Sequence, residues 1–144
     1  TLFPYTTLFR SESIHLGSFA QPLDVHNADA IKADMERMMA IRQDIFKALE
    51  EARAEKVIGK SLEAHVIVNV SDEDRALIEK LCGNHFNQWL IVSKVSFSVD
   101  KLKQYEVCGV AIEKCEGKVC PRCWNITASH AEDGLCERCA EVLK

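Results

Sequence analysis

Two Cys-x-x-Cys pairs constrain the fold of this chain more than any other feature of its sequence. Cys120 and Cys123 form the first pair, Cys136 and Cys139 form the second, and twelve residues separate the two pairs. A gap of two residues lets the chain turn so that both sulfurs face one ion, and two such pairs complete a tetrahedral thiolate shell. Because a shell of four sulfurs leaves no position for water, the sequence predicts a structural metal ion rather than a catalytic one.

The spacing favours zinc, but it leaves alternatives for these cysteines. Iron in a rubredoxin-like site uses the same shell, and spacing alone does not separate the two metals. Disulfides are disfavoured because nothing in the sequence indicates export, and a thioredoxin-type redox site needs only one pair. The other cysteines, Cys82, Cys108 and Cys115, lack partners at such spacing and are typical of small buried hydrophobic residues.

The composition indicates an ordinary globular protein. Of the 144 residues 47% are hydrophobic and 28% are charged, and the formal net charge is -4. Such a chain has no general basic field, so non-specific coating of DNA is excluded and any contact with nucleic acid needs a local patch. No stretch approaches the roughly 18 apolar residues of a membrane helix, and no signal peptide is evident. We therefore expect a cytoplasmic protein without a membrane partner.

The first eleven residues are set apart from the rest of the chain. Residues 1–11 resemble a peptide translated from sequencing-adaptor DNA, and they lack both helical and strand periodicity. We expect them to be an artefactual or disordered terminus, and they are excluded from the fold prediction. Because the sequence does not begin with Met, we also expect a fragment of a longer protein.

A long helix is predicted in the next part of the chain, residues 12–59. We expect it to begin after an Asn27 N-cap and to end at Gly59, with a length of about 45 Å. Its apolar positions recur at steps of three and four residues, and they are Ile31, Met35, Met38, Ile41, Ile45, Leu49 and Ala52. The opposite face, which includes Arg42 and Lys47, is predicted to be solvated.

Residues 60–114 predict a small mixed α/β module, and the chain as a whole is therefore of the α+β class. The predicted elements are, in order, a strand at 62–70, a helix ending at Gly83, a helical turn at 85–89, and strands at 90–99 and 107–114. Ser71 is the expected N-cap of the helix, because an acidic residue follows three positions later. Residues 115–144 form the predicted zinc finger.

Several segments together resemble the C-terminal region of bacterial isoleucyl-tRNA synthetases. Residues 118–124 and 136–139 look like the C-terminal zinc finger of that family. The upstream segments that resemble the family are residues 12–16, 48–53, 57–64 and 90–93, in the family's order. The resemblance therefore covers residues 12–144, which makes it more specific than the cysteine spacing alone.

The resemblance implies a monomeric parent enzyme that activates isoleucine with ATP and transfers it to isoleucine tRNA. ATP is handled by a catalytic domain that precedes the residues present here, so the fragment itself is expected to be non-catalytic. Residues 12–59 would be the end of a helical anticodon-binding domain. The expected partners are isoleucine tRNA and the remainder of the synthetase, and the expected cofactor of this region is one structural zinc ion held by the four cysteines.

The same resemblance places the tail toward the anticodon end of the tRNA. A rigid metal-bound turn can present an aromatic face and guanidinium groups to unstacked bases and phosphates. Trp124 and Arg122 are the first candidates for such contacts, and Lys118 and Arg138 are further candidates. In the alternative interpretation Trp124 covers a small finger core and Arg138 is an ordinary solvated charge.

Two other classes of protein also carry fingers of this kind. One is a DNA repair glycosylase, whose related four-cysteine finger contacts DNA, but the acidic balance and the long preceding helix argue against it. The other is a stand-alone zinc-ribbon adaptor that binds proteins. A class I catalytic domain upstream of residue 12 would separate the ligase hypothesis from both alternatives.

Overall fold

The computed structural model describes Phe19 and residues 21–143, so the predictions for residues 1–11 and 12–16 lie outside the described part. The helices are α1 (Ala28–Ala54), α2 (Asp72–Cys82), α3 (Phe86–Leu90) and α4 (Glu137–Val142), with 3-10 turns at Ser61–Glu63 and Gly83–His85. The strands are β1 (Ala64–Asn69), β2 (Lys94–Phe97), β3 (Lys103–Gln104), β4 (Gly109–Lys114), β5 (Lys118–Val119) and β6 (Ile126–Thr127). Among the described residues, none of the helices combines the length and apolar composition of a membrane span.

Helix α1 confirms the predicted long helix, but its two ends differ from the prediction. Asn27 has φ 61° and makes no side-chain capping bond, so the predicted side-chain cap is wrong. The helix ends at Ala54 and not at Gly59, because Lys56 adopts a left-handed conformation with φ 61°. The Lys56 amide then donates to the Arg53 carbonyl and the Val57 amide donates to the Ala52 carbonyl. These bonds give carbonyls of the last helical turn their hydrogen-bond partners, as in a Schellman motif.

Four strands form one mixed sheet in the order β2-β1-β4-β3. Strand β1 pairs in parallel with β2 and antiparallel with β4. Its buried side chains alternate with half-buried ones, as the sequence pattern predicted. The hydrophobic core lies between this sheet and helices α1 to α3, and it contains Ile41, Ile45, Leu49, Val66, Val68, Ile78, Leu90, Val92 and Val110 among others.

Helix α2 follows the predicted capping pattern. The Ser71 side chain accepts a hydrogen bond from the Asp74 amide at 3.1 Å, and the helix stops at Gly83. Gly83 has φ 52° and ψ -129°, a conformation that side chains with a Cβ rarely adopt. Both ends of the predicted helix are therefore confirmed.

The region predicted as a strand at 90–99 contains an observed strand that is shorter than the prediction. Leu90 is the last residue of α3, and Ile91 has a left-handed conformation with φ 58°. Strand β2 begins only at Lys94, and the side chains of Leu90 and Val92 fill the core from the helix end and the turn that follows. The prediction is wrong for residues 90–93 because an apolar run has no period that separates a buried helix end from a strand.

The third strand, β4, begins at Gly109, two residues later than predicted. The amides of Val107 and Cys108 instead donate to the Asp44 side chain on α1, at 2.7 and 3.0 Å. Asp44 is only 6% exposed, so this contact joins α1 to the sheet inside the protein. The short strand β3, which pairs with β4, was not predicted.

Arg42 lies between two aromatic rings rather than on a solvated face. Its guanidinium carbon is 4.2 Å from the ring centroid of Phe46 and 5.4 Å from that of Trp89. Trp89 in turn stacks on Phe86, with ring centroids 5.9 Å apart. The prediction of a solvated face is wrong for Arg42, because α3 covers this side of α1, but Lys47 is exposed as expected.

An ion pair between α1 and α2 is expected to make the stability of the fold depend on pH. Arg37 donates to both carboxylate oxygens of Asp74, at 2.7 and 2.8 Å, and these bonds hold the pKa of Asp74 below its ordinary value of 3.8. The stabilisation is fully present above the pKa that Asp74 has in the unfolded chain, and it is lost as the pH falls through the lower pKa that Asp74 has in the folded chain. Because Arg37 is partly exposed, we expect the contribution to be about 1 kcal/mol.

Denaturant unfolding at pH values from about 6 to about 2.5 measures this effect. The variant Asp74→Asn should lose the part of the acid dependence that this ion pair contributes, whereas Glu55→Gln, which changes an exposed carboxylate, should retain it. An identical pH dependence in Asp74→Asn and the native chain would contradict the expected role of the pair.

Candidate metal centre and the adjoining cleft

The first pair of cysteines lies in a turn between two short strands. Strands β5 and β6 pair antiparallel, and the chain between them is closed by hydrogen bonds from the Trp124 amide to the Cys120 carbonyl and from the Cys120 amide to the Asn125 carbonyl, each 2.9 Å. Gly117 precedes β5 with φ 134°, and a Cβ there would lie 2.3 Å from the Thr127 carbonyl oxygen. Only glycine allows the two strands to approach in this way.

The second pair lies at the start of helix α4. Cys136 immediately precedes the helix and Cys139 is in its first turn. A turn before it is closed by hydrogen bonds from the Gly134 amide to the Ala131 carbonyl and from the Ala131 amide to the Leu135 carbonyl. Apart from the cysteines, only Leu135 is described as a hydrophobic side chain packed on this cluster, so sulfur atoms make up most of the small core.

The structure brings the four predicted ligands together. Their sulfur atoms all lie within 4.8 Å of one another, and those of Cys123 and Cys136 are 3.6 Å apart. A zinc ion with four bonds of about 2.3 Å places neighbouring sulfurs about 3.8 Å apart, so the cluster has the size of a tetrahedral thiolate shell. All seven cysteines are free thiols. The four cysteines are thus positioned to hold a metal ion.

Backbone amides from both cysteine pairs favour the thiolate form of Cys120. The Cys136 amide donates to the Cys120 sulfur at 3.4 Å, and hydrogen bonds from the amides of Cys136, Cys123 and Arg122 lower the pKa of the Cys120 thiol to about 6. Burial acts in the opposite direction on Cys136 and raises the pKa of its thiol. Because metals bind the thiolate form, the amides around Cys120 prepare that sulfur for coordination.

The remaining cysteines lie outside this cluster. Cys108 and Cys115 are buried and Cys82 is half-buried, and burial raises the pKa of each thiol. For Cys108, burial and the nearby Asp44 side chain raise the pKa to about 12. The prediction of small buried residues is therefore confirmed for Cys108 and Cys115, whereas Cys82 is only half-buried.

The four residues predicted to contact RNA are all on the surface of the finger, residues 115–143. Lys118, Arg122, Trp124 and Arg138 are exposed, and Trp124 retains 68% of its accessible surface. Trp124 is not part of the finger core, so the alternative that it covers this core is not supported. It has a left-handed backbone with φ 63°, which is uncommon for a residue other than glycine and often marks a functional position.

Trp124 and Arg138 border different depressions of the surface. Trp124 lines a cleft of about 360 Å³, the Trp124 cleft, whose walls are Lys60, Leu62, Glu63, Val119, Trp124 and Ile126. Arg138 lines a second cleft of about 310 Å³, together with His85, Asn87 and Asn125 among others. Sequence reasoning missed Lys60, Leu62 and Glu63, because no local pattern reports that residues about sixty positions apart share one cleft.

Hydrogen bonds fix the finger to the sheet module, residues 60–114. The buried hydroxyl of Ser93 accepts from the Ile126 amide at 2.7 Å and donates to the Leu62 carbonyl at 2.6 Å. The Cys115 amide donates to the Glu63 carbonyl at 2.7 Å. These contacts hold the two walls of the Trp124 cleft in one position.

Known relatives match nearly the whole chain. The isoleucine–tRNA ligase of Geobacillus kaustophilus is 38% identical over 143 residues, which is 92% of this chain. That of Bacillus mycoides is 33% identical over 99% of the chain, and that of Exiguobacterium sibiricum is 38% identical over 79%. The resemblance to the isoleucine–tRNA ligase family is confirmed.

The match covers only a small part of each ligase. The chain spans 15% of the length of the Geobacillus kaustophilus ligase and 16% of the Bacillus mycoides one. No protein-family model matches the chain. These relatives are ligases rather than DNA glycosylases or adaptors, which favours the first of the three hypotheses drawn from the sequence.

Proposed function

We propose that this chain is the C-terminal tRNA-binding part of an isoleucine–tRNA ligase and is itself non-catalytic. The observation that carries the proposal is the 38% identity to such a ligase over 92% of the chain. An exposed aromatic residue beside a four-cysteine cluster supports it. In the parent enzyme, a cytoplasmic monomer, a separate catalytic domain uses ATP to attach isoleucine to its tRNA. The residues described here contribute recognition.

The metal in this proposal is one structural zinc ion held by Cys120, Cys123, Cys136 and Cys139. The four sulfurs form a closed shell of suitable size, and three of the cysteines are buried. When bound, zinc supplies cross-links between the two halves of the finger and no reaction chemistry. The protein's own residues then hold the turn that presents Arg122 and Trp124.

The division of the chain into functional parts belongs to the same proposal. Residues 12–59 are the end of the anticodon-binding bundle, 60–114 are the sheet module, and 115–144 are the finger. The first half of α1 supports a missing neighbour, because its apolar residues Ile31, Met35 and Met39 are 51%, 41% and 39% exposed. Such exposed apolar positions on a helix are typical of a surface covered by another part of a protein.

The proposed contacts to isoleucine tRNA divide by chemistry. The exposed indole of Trp124 stacks on an unstacked base, which is how proteins read single-stranded RNA loops. Arg122, Lys118 and Arg138 contact phosphates and set the position of the finger on the RNA. With a net charge of -4, the chain needs this local group of cations for binding.

Replacing Trp124 by Ala is expected to weaken binding of isoleucine tRNA about tenfold, because one base stack contributes about 1–3 kcal/mol. Fluorescence anisotropy with the zinc-loaded chain at one fixed salt concentration measures the affinity. Val99→Ala is the control, since this apolar side chain is 95% exposed and lies in the sheet module, outside both the finger and the anticodon-binding part. Equal affinities of Trp124→Ala and the native chain, or no binding of tRNA at all, would contradict the proposal.

A further inference from the structure

The open edge of the four-stranded sheet lies beside helix α2 and forms a groove with it. Within the described part of the chain, strand β2 is paired on one side only, with β1. A groove of about 410 Å³, the β2 groove, separates this strand from α2, and its lining includes Arg75, Ile78, Phe86, Lys94, Val95 and Phe97. None of the described residues that line it also lines the Trp124 cleft. We propose that the β2 groove binds an extended acidic peptide, which adds to the sheet as a further strand.

The main chain of β2 has hydrogen-bonding groups on its open side. The Ser98 amide donates to the Val68 carbonyl at 2.9 Å, so this amide faces β1. Because the main-chain groups of a strand alternate between its two sides, the amides and carbonyls of Val95 and Phe97 face away from β1. Such edge groups are the template on which a peptide strand pairs, and they provide affinity that does not depend on the peptide's side chains.

The base of the groove is apolar. Ile78 and Phe86 are buried, and the Phe97 ring stacks on Phe86 with ring centroids 6.3 Å apart. Successive side chains of an added strand point alternately to the two faces of the sheet, so every second one contacts this base. Apolar side chains at every second position of the peptide therefore fit the groove.

The charges around the groove favour an acidic peptide. Among the described residues of its lining, Arg75 and Lys94 are cations and Glu79 is the one carboxylate. Both cations are exposed, and the ion pairs found in the described part of the chain involve other residues. The guanidinium carbon of Arg75 lies 4.9 Å from the centroid of the Phe97 ring, which holds this cation at the rim. The two cations attract carboxylates, and they disfavour a second copy of the chain, which would bring the same charges to the shared edge.

Lys94 also indicates where the carboxylates of the peptide lie. It is opposite His65 in the register of β1 and β2, on the face of the sheet away from the buried side chains of Val66 and Val68. An acidic residue opposite Lys94 on an added strand lies on that same face, where opposite charges on neighbouring strands attract. The peptide that fits best thus alternates apolar residues, which face the groove, with acidic ones.

A synthetic peptide with this pattern tests the inference. The probe is a blocked octapeptide that alternates valine with glutamate, and calorimetric titration measures its affinity for the zinc-loaded chain. One comparison peptide has lysine in place of glutamate, and another has all of its main-chain amides N-methylated. We expect each comparison peptide to bind about tenfold more weakly, because the first loses the charge attraction and the second loses the hydrogen bonds of the added strand. Amide chemical shifts should change most along β2.

A double variant assigns the charge preference to this groove. Arg75→Gln combined with Lys94→Gln changes two exposed residues, and the affinity for the glutamate peptide should fall about fivefold, since each exposed charge contact is weak. The matched control combines Lys47→Gln with Lys101→Gln. It removes the same charge from exposed positions outside the groove and should keep the affinity.

Several results would overturn the inference. They are the absence of binding by the glutamate peptide, equal affinities for the three peptides, shifts outside β2 and α2 only, and an equal loss of affinity in the two double variants. A single-stranded RNA heptanucleotide that displaces the peptide, or a dimer of the free chain joined at β2, would identify a different occupant and overturn it as well. Because the β2 groove and the finger are separate surfaces, the outcome does not depend on tRNA binding.

Discussion

Replacing Cys123 by Ser is expected to unfold the finger while α1 and the four-stranded sheet remain folded. The core of the finger consists of sulfur atoms and Leu135, so little apolar surface remains to hold it once the metal is lost. Structural zinc contributes about 10–16 kcal/mol in zinc-finger peptides, far more than so small a core provides. Elemental analysis should fall from about one zinc per chain toward none, and amide hydrogen exchange should accelerate across residues 115–143 only.

A second cysteine provides the control for this experiment. Cys82 is half-buried at the end of α2 and lies outside the four-sulfur cluster, so Cys82→Ser should keep both the metal and the protected finger. Chelation of the native chain should reproduce the behaviour of Cys123→Ser, and added zinc should reverse it. Unchanged metal content in Cys123→Ser would refute the assigned shell, and iron in place of zinc in the native chain would refute the metal.

Replacing Asp44 by Ala is expected to destabilise the whole sheet module. The substitution leaves the amides of Val107 and Cys108 without their acceptor, and each buried donor left unpaired costs about 1–3 kcal/mol. We therefore expect the free energy of unfolding to fall by about 2–6 kcal/mol, as measured by denaturant titration. Because Asp44 connects α1 to the start of β4, the loss should appear in the cooperative transition and not as local fraying.

Two variants show whether the acceptor is the cause. Asp44→Asn keeps a side-chain oxygen for these amides and should lose less stability than Asp44→Ala. Glu36→Ala changes an exposed carboxylate on the same helix, whose contact with Lys32 is 4.0 Å long, and should change stability by about 0.5 kcal/mol or less. A loss in Asp44→Ala no larger than that in Glu36→Ala would contradict the role assigned to Asp44.

Local patterns predicted the elements whose physical cause is local. In β1 the alternating sequence follows from one buried face of the strand. In α2 the start follows from the Ser71 side-chain hydrogen bond, and the end follows from the backbone freedom of Gly83. The long amphipathic helix was found for the same reason, although its end at Ala54 was not. That end depends on the left-handed turn at Lys56, a residue whose type gives no indication of such a turn.

Elements that depend on distant partners were predicted less well. The apolar run at 90–93 has the composition of a strand, but Leu90 is the last residue of α3 and fills the core from the end of that helix. Arg42 reads as solvated until Trp89 is seen to cover it, because a charged residue at a helical surface position carries no information about an aromatic ring from another helix. In both cases packing between elements overrides the local preference.

The sequence by itself determined the four-sulfur cluster, because two residues between cysteines and two such pairs suffice to bring the sulfurs together around an ion. It left open whether Trp124 covers the finger core or lies on the surface, and the structure places this side chain on the surface with 68% of its area exposed. Only the tertiary structure decided what lies opposite Trp124. Glu63 and Lys60 come to that cleft through the hydrogen bonds of Ser93 and Cys115, which join segments far apart in the chain and leave no periodic signal in it.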